Sequence, residues 1–212
     1  MENKKGYYDI DIDVEGLLSS TGMVDDLLWL EDRRQRKLFL ETEITQASAS
    51  DIVHAILQYN RDDIGLAQGA RKPILLYICS NGGEVDAGFS LIDAIETSIT
   101  PVYTINMGYW YSMAFIIGIA GHKRFATRNS KILCHDGINA VYNSGSKARD
   151  QMEFLHRLEE RTKNHILRYT NISEELYQNK LRDEWYVFAD EAKQLGIIDC
   201  IIGEDCDLEA II

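Results

Sequence analysis

Three positions in the chain combine a reactive or turn-forming residue with a place between two predicted structural elements. Ser112 stands at the start of an apolar stretch, and His135 ends a short apolar run. Gly82 and Gly83 follow another apolar run. A serine activated by an imidazole can attack an acyl carbon, and backbone N–H groups exposed by a glycine turn can bind the resulting oxyanion. These residue types favour acyl-transfer chemistry.

Each of these residues also has an ordinary structural role. Ser112 can cap the helix that follows it, which stabilises a helix by about 1 kcal/mol. Paired glycines form tight turns, and a histidine at a strand end is often only a hydrogen-bonded structural residue. Asp136 is poorly placed to orient His135, because adjacent strand residues point to opposite faces of a sheet. A triad carboxylate is therefore expected from another part of the chain.

The remaining histidines and the cysteines show no spacing typical of metal ligands, so we predict neither a metal nor another cofactor. They are His54, His122, His156, His165, Cys79, Cys134, Cys200 and Cys206. Cys79 and Cys134 lie in apolar runs, where a free thiol behaves as a small hydrophobic residue. A chain of this size needs no disulfide for stability. We therefore expect a reducing, cytoplasmic location.

The composition is typical of a globular protein with an acidic surface. Of 212 residues, 45% are hydrophobic, and 34 acidic against 22 basic side chains give a net charge of -12. Such a charge repels a phosphate backbone and disfavours nucleic-acid binding. The sequence contains no run of eighteen apolar residues, which is the length that would predict a membrane-spanning helix. The N-terminal sequence lacks the apolar region of a secretion signal.

The apolar patterns predict an α/β fold with largely parallel strands. We expect strands at residues 37–40, 73–79, 101–107 and 131–134, and helices at residues 47–59, 84–99, 112–120 and 147–169. Val85 and Phe89 should point inward from the second helix. The third is almost wholly apolar and should be buried on all sides, whereas the fourth, about 30 Å long, should project or lie along the core. Residues 1–30 look like an arm and residues 31–212 like a single domain.

Several of these segments resemble the Clp protease proteolytic subunit (ClpP) family of self-compartmentalised serine peptidases. Ser-Asn-Gly-Gly at residues 80–83 resembles the family's Ser-Pro-Gly-Gly turn. Met-Gly at 107–108 with Ser-Met at 112–113 resembles the nucleophile segment, and Ile-Leu-Cys-His at 132–135 resembles the one ending in the catalytic histidine. The match extends from residue 36 to residue 199. It implies the ClpP/crotonase fold, a repeated β-β-α superhelix with a projecting long helix.

The resemblance also implies a role for five residues. These are Ser112 as nucleophile, His135 as general base, Gly83 and Met113 as backbone oxyanion donors, and Asp183 as the triad carboxylate. The segment between residues 184 and 190 is one residue longer than in the family pattern. Glu184 and Asp190 therefore stay open as alternatives to Asp183.

The family resemblance further implies a homo-oligomer of stacked heptameric rings that encloses its active sites. The long helix would form the contacts between rings, and an N-terminal arm would line the axial pore. The expected substrates are peptides or unfolded polypeptides. An ATP-dependent AAA+ unfoldase would feed them into the chamber, unless the chain is a divergent or phage-type member that processes particular proteins alone. No metal, nucleic acid or membrane is expected to take part.

Two alternatives remain at the level of sequence. The aromatic run Tyr109, Trp110 and Tyr111 replaces residues that are small or polar in the family, and its bulk would reshape or block a substrate pocket. That feature favours a catalytically inactive subunit that assembles with an active partner. The second alternative is a crotonase-type acyl-CoA enzyme, whose related fold uses glycine-turn oxyanion donors without a serine nucleophile.

Overall fold

A computed structural model describes residues 23–137, 143–180 and 182–211. Most of the predicted arm, residues 1–22, lies outside these ranges. The first described element is a helix that includes residue 30, so the predicted boundary between arm and domain falls within it. The described part of the chain contains no helix with the length and apolar character needed to cross a lipid bilayer.

Seven strands and seven α-helices are formed by the described residues. The strands are β1 (Lys37–Leu40), β2 (Ile74–Ser80), β3 (Val102–Tyr111), β4 (Lys123–Thr127), β5 (Lys131–Cys134), β6 (Trp185–Phe188) and β7 (Cys200–Ile202). The helices are α1 (Met23–Arg34), α2 (Gln46–Asp62), α3 (Val85–Glu96), α4 (Met113–Ile119), α5 (Gly145–Tyr169), α6 (Glu174–Lys180) and α7 (Ala189–Gln194). Single 3-10 turns lie at Gln68–Ala70 and Leu208–Ala210.

The strands form one mixed sheet in which most neighbours are parallel. Its main path runs β1-β2-β3-β4-β7, while β5 pairs with β3 on one side and with β6 on the other. Only the β5–β6 pair is antiparallel among the described ladders. The predicted α/β class with largely parallel strands is confirmed. Parallel strands place their carboxyl ends at one edge, which is where β2 and β3 deliver the glycine turn and Ser112.

The third strand changes partners along its length. Its first half pairs with β4 and its last three residues pair with β5. Buried Asn106 lies at the branch, where its side chain donates to the Lys131 carbonyl (3.1 Å) and accepts from the Gly108 N–H (3.0 Å). The Ser130 hydroxyl donates to the Asn106 carbonyl at 2.7 Å. The polar groups freed where the ladders separate are thus satisfied, as buried groups must be.

Burial agrees with the predicted helix patterns except at one position. All seven residues of α4 are buried, which confirms the prediction for the apolar helix. Within α5, the described residues that are buried are His165 and Ile166, both near the carboxyl end, and Phe154 is half exposed. Val85, predicted to point inward, is 39% exposed. It opens the first turn of α3, next to the glycine turn.

A buried ion pair ties the start of β1 to the end of α2. Both terminal guanidinium nitrogens of Arg36 donate to Asp63 at 2.7 Å, and the Thr100 hydroxyl donates to the same carboxylate at 2.7 Å. The Asp63 side chain is only 1% exposed. The hydrogen bonds from Arg36, with a further one from Thr100, hold the pKa of Asp63 below its usual value despite burial.

The cysteines depart from the expectation that no disulfide is needed. Cys200 and Cys206 are joined by a disulfide, whereas Cys79 and Cys134 are free. The disulfide forms because the chain turns back after β7 at Gly203. The Gly203 N–H donates to the Cys206 carbonyl at 2.9 Å. Residues six positions apart are therefore brought together, and sequence spacing alone does not reveal this turn.

Candidate active site

Ser112 occupies a strained turn between β3 and α4. Its φ of 54° and ψ of -123° lie in a region that residues with a side chain rarely adopt, at a cost on the order of 1–3 kcal/mol. Two hydrogen bonds hold this backbone, one from the Ser112 N–H to the Leu133 carbonyl and one from the Phe115 N–H to the Ser112 carbonyl, both 3.0 Å. The Ser112 side chain makes no capping hydrogen bond. The ordinary structural role of this serine is therefore not formed.

The glycine turn after β2 is clamped by the backbone of Ile44. The Ile44 N–H donates to the Gly82 carbonyl (2.9 Å), and the Ile44 carbonyl accepts from the Glu84 N–H (2.8 Å). Gly82 and Gly83 have φ values of 96° and 152°, conformations that glycine adopts without strain. The part played by Ile44 could not be predicted, because backbone contacts across a fold leave no signal in the sequence.

The same turn packs directly against Ser112. A methyl group placed on Gly82 would lie 2.8 Å from the Ser112 Cβ and 2.9 Å from the Met113 nitrogen. Among the described residues, neither the Gly83 N–H nor the Met113 N–H donates to a backbone acceptor. Two unpaired donors beside one hydroxyl are the arrangement that stabilises a developing oxyanion.

Ser112, Met113, Gly83 and His135 all line one cavity of about 360 Å³. The apolar part of its wall comes from Val85, Phe115, Ile116, Leu155, Leu158 and Ile166. The structure shows no hydrogen bond between the Ser112 hydroxyl and His135. Such bonds are often long without substrate and tighten when it binds.

Cys134 also lines this cavity but is not a competing nucleophile. It is buried, and desolvation raises its pKa to about 12. The thiol therefore stays protonated at neutral pH, and a thiol is a far weaker nucleophile than a thiolate. Within the described residues, no group of three or more His, Cys, Asp or Glu side chains is arranged to hold a metal ion.

The carboxylate in contact with His135 is Glu184. Its Oε1 lies 3.0 Å from the His135 Nδ1. Asp183 is turned toward Lys180, since its N–H donates to the Lys180 carbonyl (2.9 Å) and its Oδ2 lies 3.8 Å from the Lys180 Nζ. Asp190 lies in the first turn of α7. Of the three carboxylates considered from sequence, the structure brings only Glu184 to the imidazole.

The aromatic run before Ser112 does not line the described wall of the cavity. Trp110 is fully buried and packs on Gly118, where an added methyl group would overlap its ring. Tyr109 and Tyr111 point to the other face of β3, with ring centroids 4.9 Å apart. The strand continues through all three residues, so their side chains alternate between faces.

At the rim of the cavity, Lys163 pairs with two carboxylates. The Lys163 Nζ is 3.0 Å from Glu160 and 3.1 Å from Glu174, and these hydrogen bonds, Glu160 first, raise the pKa of Lys163. Burial, followed by the nearby Cys134 and carboxylates, raises the pKa of Tyr177, so its phenol is uncharged at neutral pH. The cavity therefore combines an apolar wall with a polar edge in which, among the described residues, acidic side chains outnumber the one lysine.

Comparison with known proteins gives consistent matches over most of the chain. A family profile described as Clp protease matches residues 25–205. The ATP-dependent Clp protease proteolytic subunit 2 of Treponema pallidum is 30% identical over 176 residues, covering 82% of this chain and 85% of that protein. The subunit 2 of Treponema denticola is 30% identical over 186 residues, covering 87% and 90%. The subunit 1 of Chlamydia pneumoniae is 30% identical over 189 residues, covering 86% and 95%.

Proposed function

The chain belongs to the Clp protease family and has a fold of the ClpP/crotonase type, and from this we propose that it is a serine-type endopeptidase. The observation that carries the proposal is the position of Ser112. It sits in a strained turn, shares a cavity with His135, and is packed against a glycine turn whose Gly83 N–H has no backbone acceptor among the described residues. Strain that the surroundings impose on a single residue is typical of functional sites.

In the proposed reaction, His135 takes the proton of the Ser112 hydroxyl as its oxygen attacks the peptide carbonyl carbon. The Gly83 and Met113 N–H groups stabilise the oxyanion, each contributing roughly 10²–10³ in rate. His135 then gives its proton to the leaving amine, and an acyl-enzyme forms on Ser112. A water molecule, deprotonated by His135, hydrolyses this ester and restores the serine.

A carboxylate beside the imidazole keeps the ring in the tautomer that this cycle needs. The family motif implies Asp183 for this role. Glu184 is the carboxylate hydrogen-bonded to the ring.

We expect the substrate to be an extended peptide or unfolded polypeptide. A cavity of about 360 Å³ holds a side chain but not a folded domain, and its apolar wall favours an apolar side chain. The related proteins are named as proteolytic subunits of ATP-dependent proteases. By analogy, this chain would receive its substrates from an ATP-driven AAA+ unfoldase.

The proposal includes assembly into stacked heptameric rings. Support comes from α5, whose described residues are exposed over most of its length and include Met152 and Phe154 at 44% and 50% exposure. Apolar side chains exposed along a projecting helix are typical of contact surfaces. We also propose a cytoplasmic location, where the Cys200–Cys206 pair would be kept reduced.

The sequence-level alternatives lose support. An inactive subunit was favoured by the bulk of the aromatic run, yet Trp110 is in the core and its two neighbours point away from the cavity. A crotonase-type acyl-CoA enzyme has no use for a serine held in a strained turn. Saturable CoA binding would revive that alternative.

The test is covalent labelling with a fluorophosphonate, followed by intact mass. We expect one adduct on the native chain and none on Ser112→Ala. Ser90→Ala is the matched control, because Ser90 is exposed on α3 and does not line the cavity. Equal labelling of Ser112→Ala, or no adduct on a native preparation that light scattering shows to be assembled, would refute the proposal. The second result would favour the inactive subunit.

A further inference from the structure

The antiparallel pairing of β5 with β6 decides which carboxylate faces the catalytic histidine. Lys131 lies opposite Phe188, and the ladder continues stepwise to Leu133 opposite Tyr186 and Cys134 opposite Trp185. The next pair in this series is residue 135 with residue 184. Side chains of directly opposed residues lie on one face of a sheet with their Cβ atoms about 4.5–5.5 Å apart. The observed contact of 3.0 Å between His135 and Glu184 is therefore a consequence of register rather than of a single flexible rotamer.

The same register places Asp183 away from the imidazole. The strand begins at Trp185, and if its alternation were continued backwards, the residue before Glu184 would point to the opposite face. Asp183 lies in the turn that follows α6, where its N–H and carboxylate both face Lys180. Moving it to His135 would require a shift by one residue, which would turn every side chain of β6 over. Buried Val187 on that strand opposes such a shift.

A second side chain, that of Tyr186, forms a hydrogen bond with Glu184. Tyr186 is two residues along β6 and shares its face, and its hydroxyl donates to the Glu184 Oε2 at 3.4 Å. Partial burial and the neighbouring Glu184 carboxylate raise the pKa of Tyr186, so the hydroxyl remains a donor at neutral pH. The Tyr186 ring is held edge-on by Tyr111, with centroids 5.7 Å apart.

The position of Tyr111 explains why this support exists in the chain. Tyr111 pairs with Leu133 on β5, and Leu133 pairs with Tyr186 on β6, so the three residues form one rung across the sheet. His135 and Glu184 lie two residues further along the same two chains, past the pair Cys134 and Trp185, and so on the same face. The aromatic residue before Ser112 thus buttresses the group that orients the base, and it has no place in the substrate cavity.

We propose that Glu184, rather than Asp183, is the carboxylate that orients His135, and that Tyr186 is a positioning residue for Glu184. The inference rests on the proposed serine peptidase function. It gives a Ser-His-Glu arrangement in which the His135 Nδ1–H donates to Glu184, which leaves Nε2 as the nitrogen that would take the proton of Ser112.

The test compares two neighbouring carboxylates by isosteric amide substitution. In Glu184→Gln the amide presents an N–H where the ring needs an acceptor, and loss of the carboxylate in other serine proteases lowers the rate about 10⁴-fold. We expect a fall of roughly 10³–10⁴ in the rate of fluorophosphonate labelling, partial recovery in Glu184→Asp, and near-native labelling of Asp183→Asn. Tyr186→Phe should lose about two- to tenfold, the effect of one hydrogen bond. Glu191→Gln, an exposed carboxylate on α7, is the control.

Two further readouts separate positioning from folding. Glu184 is 60% exposed, and an exposed ion pair contributes little to stability, so the thermal midpoint of Glu184→Gln should match that of the native chain. Recovery of labelling in Glu184→Asp, which restores a carboxylate on a shorter side chain, is the second readout, because a purely structural role would not give it.

The results that would overturn the assignment of Glu184 differ from those that would overturn the proposed peptidase function. A loss confined to Asp183→Asn, or equal losses in Asp183→Asn and Glu184→Gln, would overturn the assignment of Glu184 while leaving the serine peptidase intact. Labelling that persists in Ser112→Ala would instead remove the proposed function. Unchanged labelling of Tyr186→Phe would refute the role of Tyr186.

Discussion

Replacing Gly83 with alanine tests its proposed role as an oxyanion donor through the addition of one methyl group. The φ of Gly83 is 152°, and an added Cβ would overlap the carbonyl oxygen of Ile44 and lie 2.8 Å from the Ile44 nitrogen. Both contacts are with backbone, which cannot rotate away as a side chain would. The turn must therefore separate from Ile44 to admit the methyl group.

The expected loss of stability in Gly83→Ala comes from the interactions that break when the glycine turn separates from Ile44. A strained backbone of this kind costs on the order of 1–3 kcal/mol. Two hydrogen bonds between Ile44 and the turn, of 2.9 and 2.8 Å, are lost at about 0.5–1.5 kcal/mol each. We expect the free energy of unfolding to fall by roughly 2–6 kcal/mol. Displacing the Gly83 N–H should also lower the labelling rate by about 10²–10³ in protein that remains folded.

The assay pairs urea unfolding with fluorophosphonate labelling at a temperature where each variant is folded. Gly69→Ala is the matched control, because an added methyl group there meets no atom within 4 Å. That variant should keep the native rate and stability. If Gly83→Ala labelled at the native rate with an unchanged unfolding midpoint, both the clamped turn and its role in binding the oxyanion would be refuted.

Three predictions concern the stability of the fold. Asp63→Ala leaves Arg36, whose side chain is 16% exposed, without its ion-pair partner. Urea unfolding at pH 7 should therefore show a loss of about 3 kcal/mol, the lower end of the range for breaking a buried pair, and a loss below about 1 kcal/mol would contradict the contribution of the pair. Because the pKa of Asp63 is lowered, the native chain should also lose this contribution as the pH falls through the acid range, an effect absent from the variant. Burial lowers the pKa of His165 below 6.5, so between pH 7 and pH 5 the unfolded chain takes up a proton that the folded chain does not. The stability of the native chain should therefore fall as the pH is lowered over this range. A thermal midpoint that is equally pH-dependent in His165→Gln would argue against this. The Cys200–Cys206 disulfide closes a loop of six residues, so reduction should lower the unfolding free energy by roughly 2 kcal/mol in the native chain and by nothing in Cys200→Ser.

The elements that sequence predicts well are those whose pattern is local. The apolar runs at β1 and β5 give strands with the predicted bounds, and α4 is buried on every side as its composition requires. The strand β3 was expected to stop at Met107 but continues to Tyr111. Its extension depends on pairing with β5, a contact between residues more than twenty positions apart, and no local pattern encodes it.

The same distinction applies to the candidate site. Ser112, His135, Gly83 and Met113 lie in local motifs, and the structure places all four around one cavity. The partner of His135 is set by the register of two strands about fifty residues apart. The sequence could therefore limit the carboxylate that orients His135 to three candidate residues, but it could not choose among them.

The branch at Asn106 places the proposed catalytic groups on two arms of one sheet, which the hydrogen bond from the Ser112 N–H to the Leu133 carbonyl joins. Ser112 is carried by β3 and the buried α4, whereas His135 and Glu184 both end a two-stranded ribbon that touches the main sheet only through the last three residues of β3 among the described ladders. Because His135 and Glu184 both adjoin this ribbon, a shift of the ribbon relative to β3 would carry the two side chains together. In the proposed mechanism, alignment of the base with the nucleophile would then depend on how β5 pairs with the end of β3 and on the bond between Ser112 and Leu133.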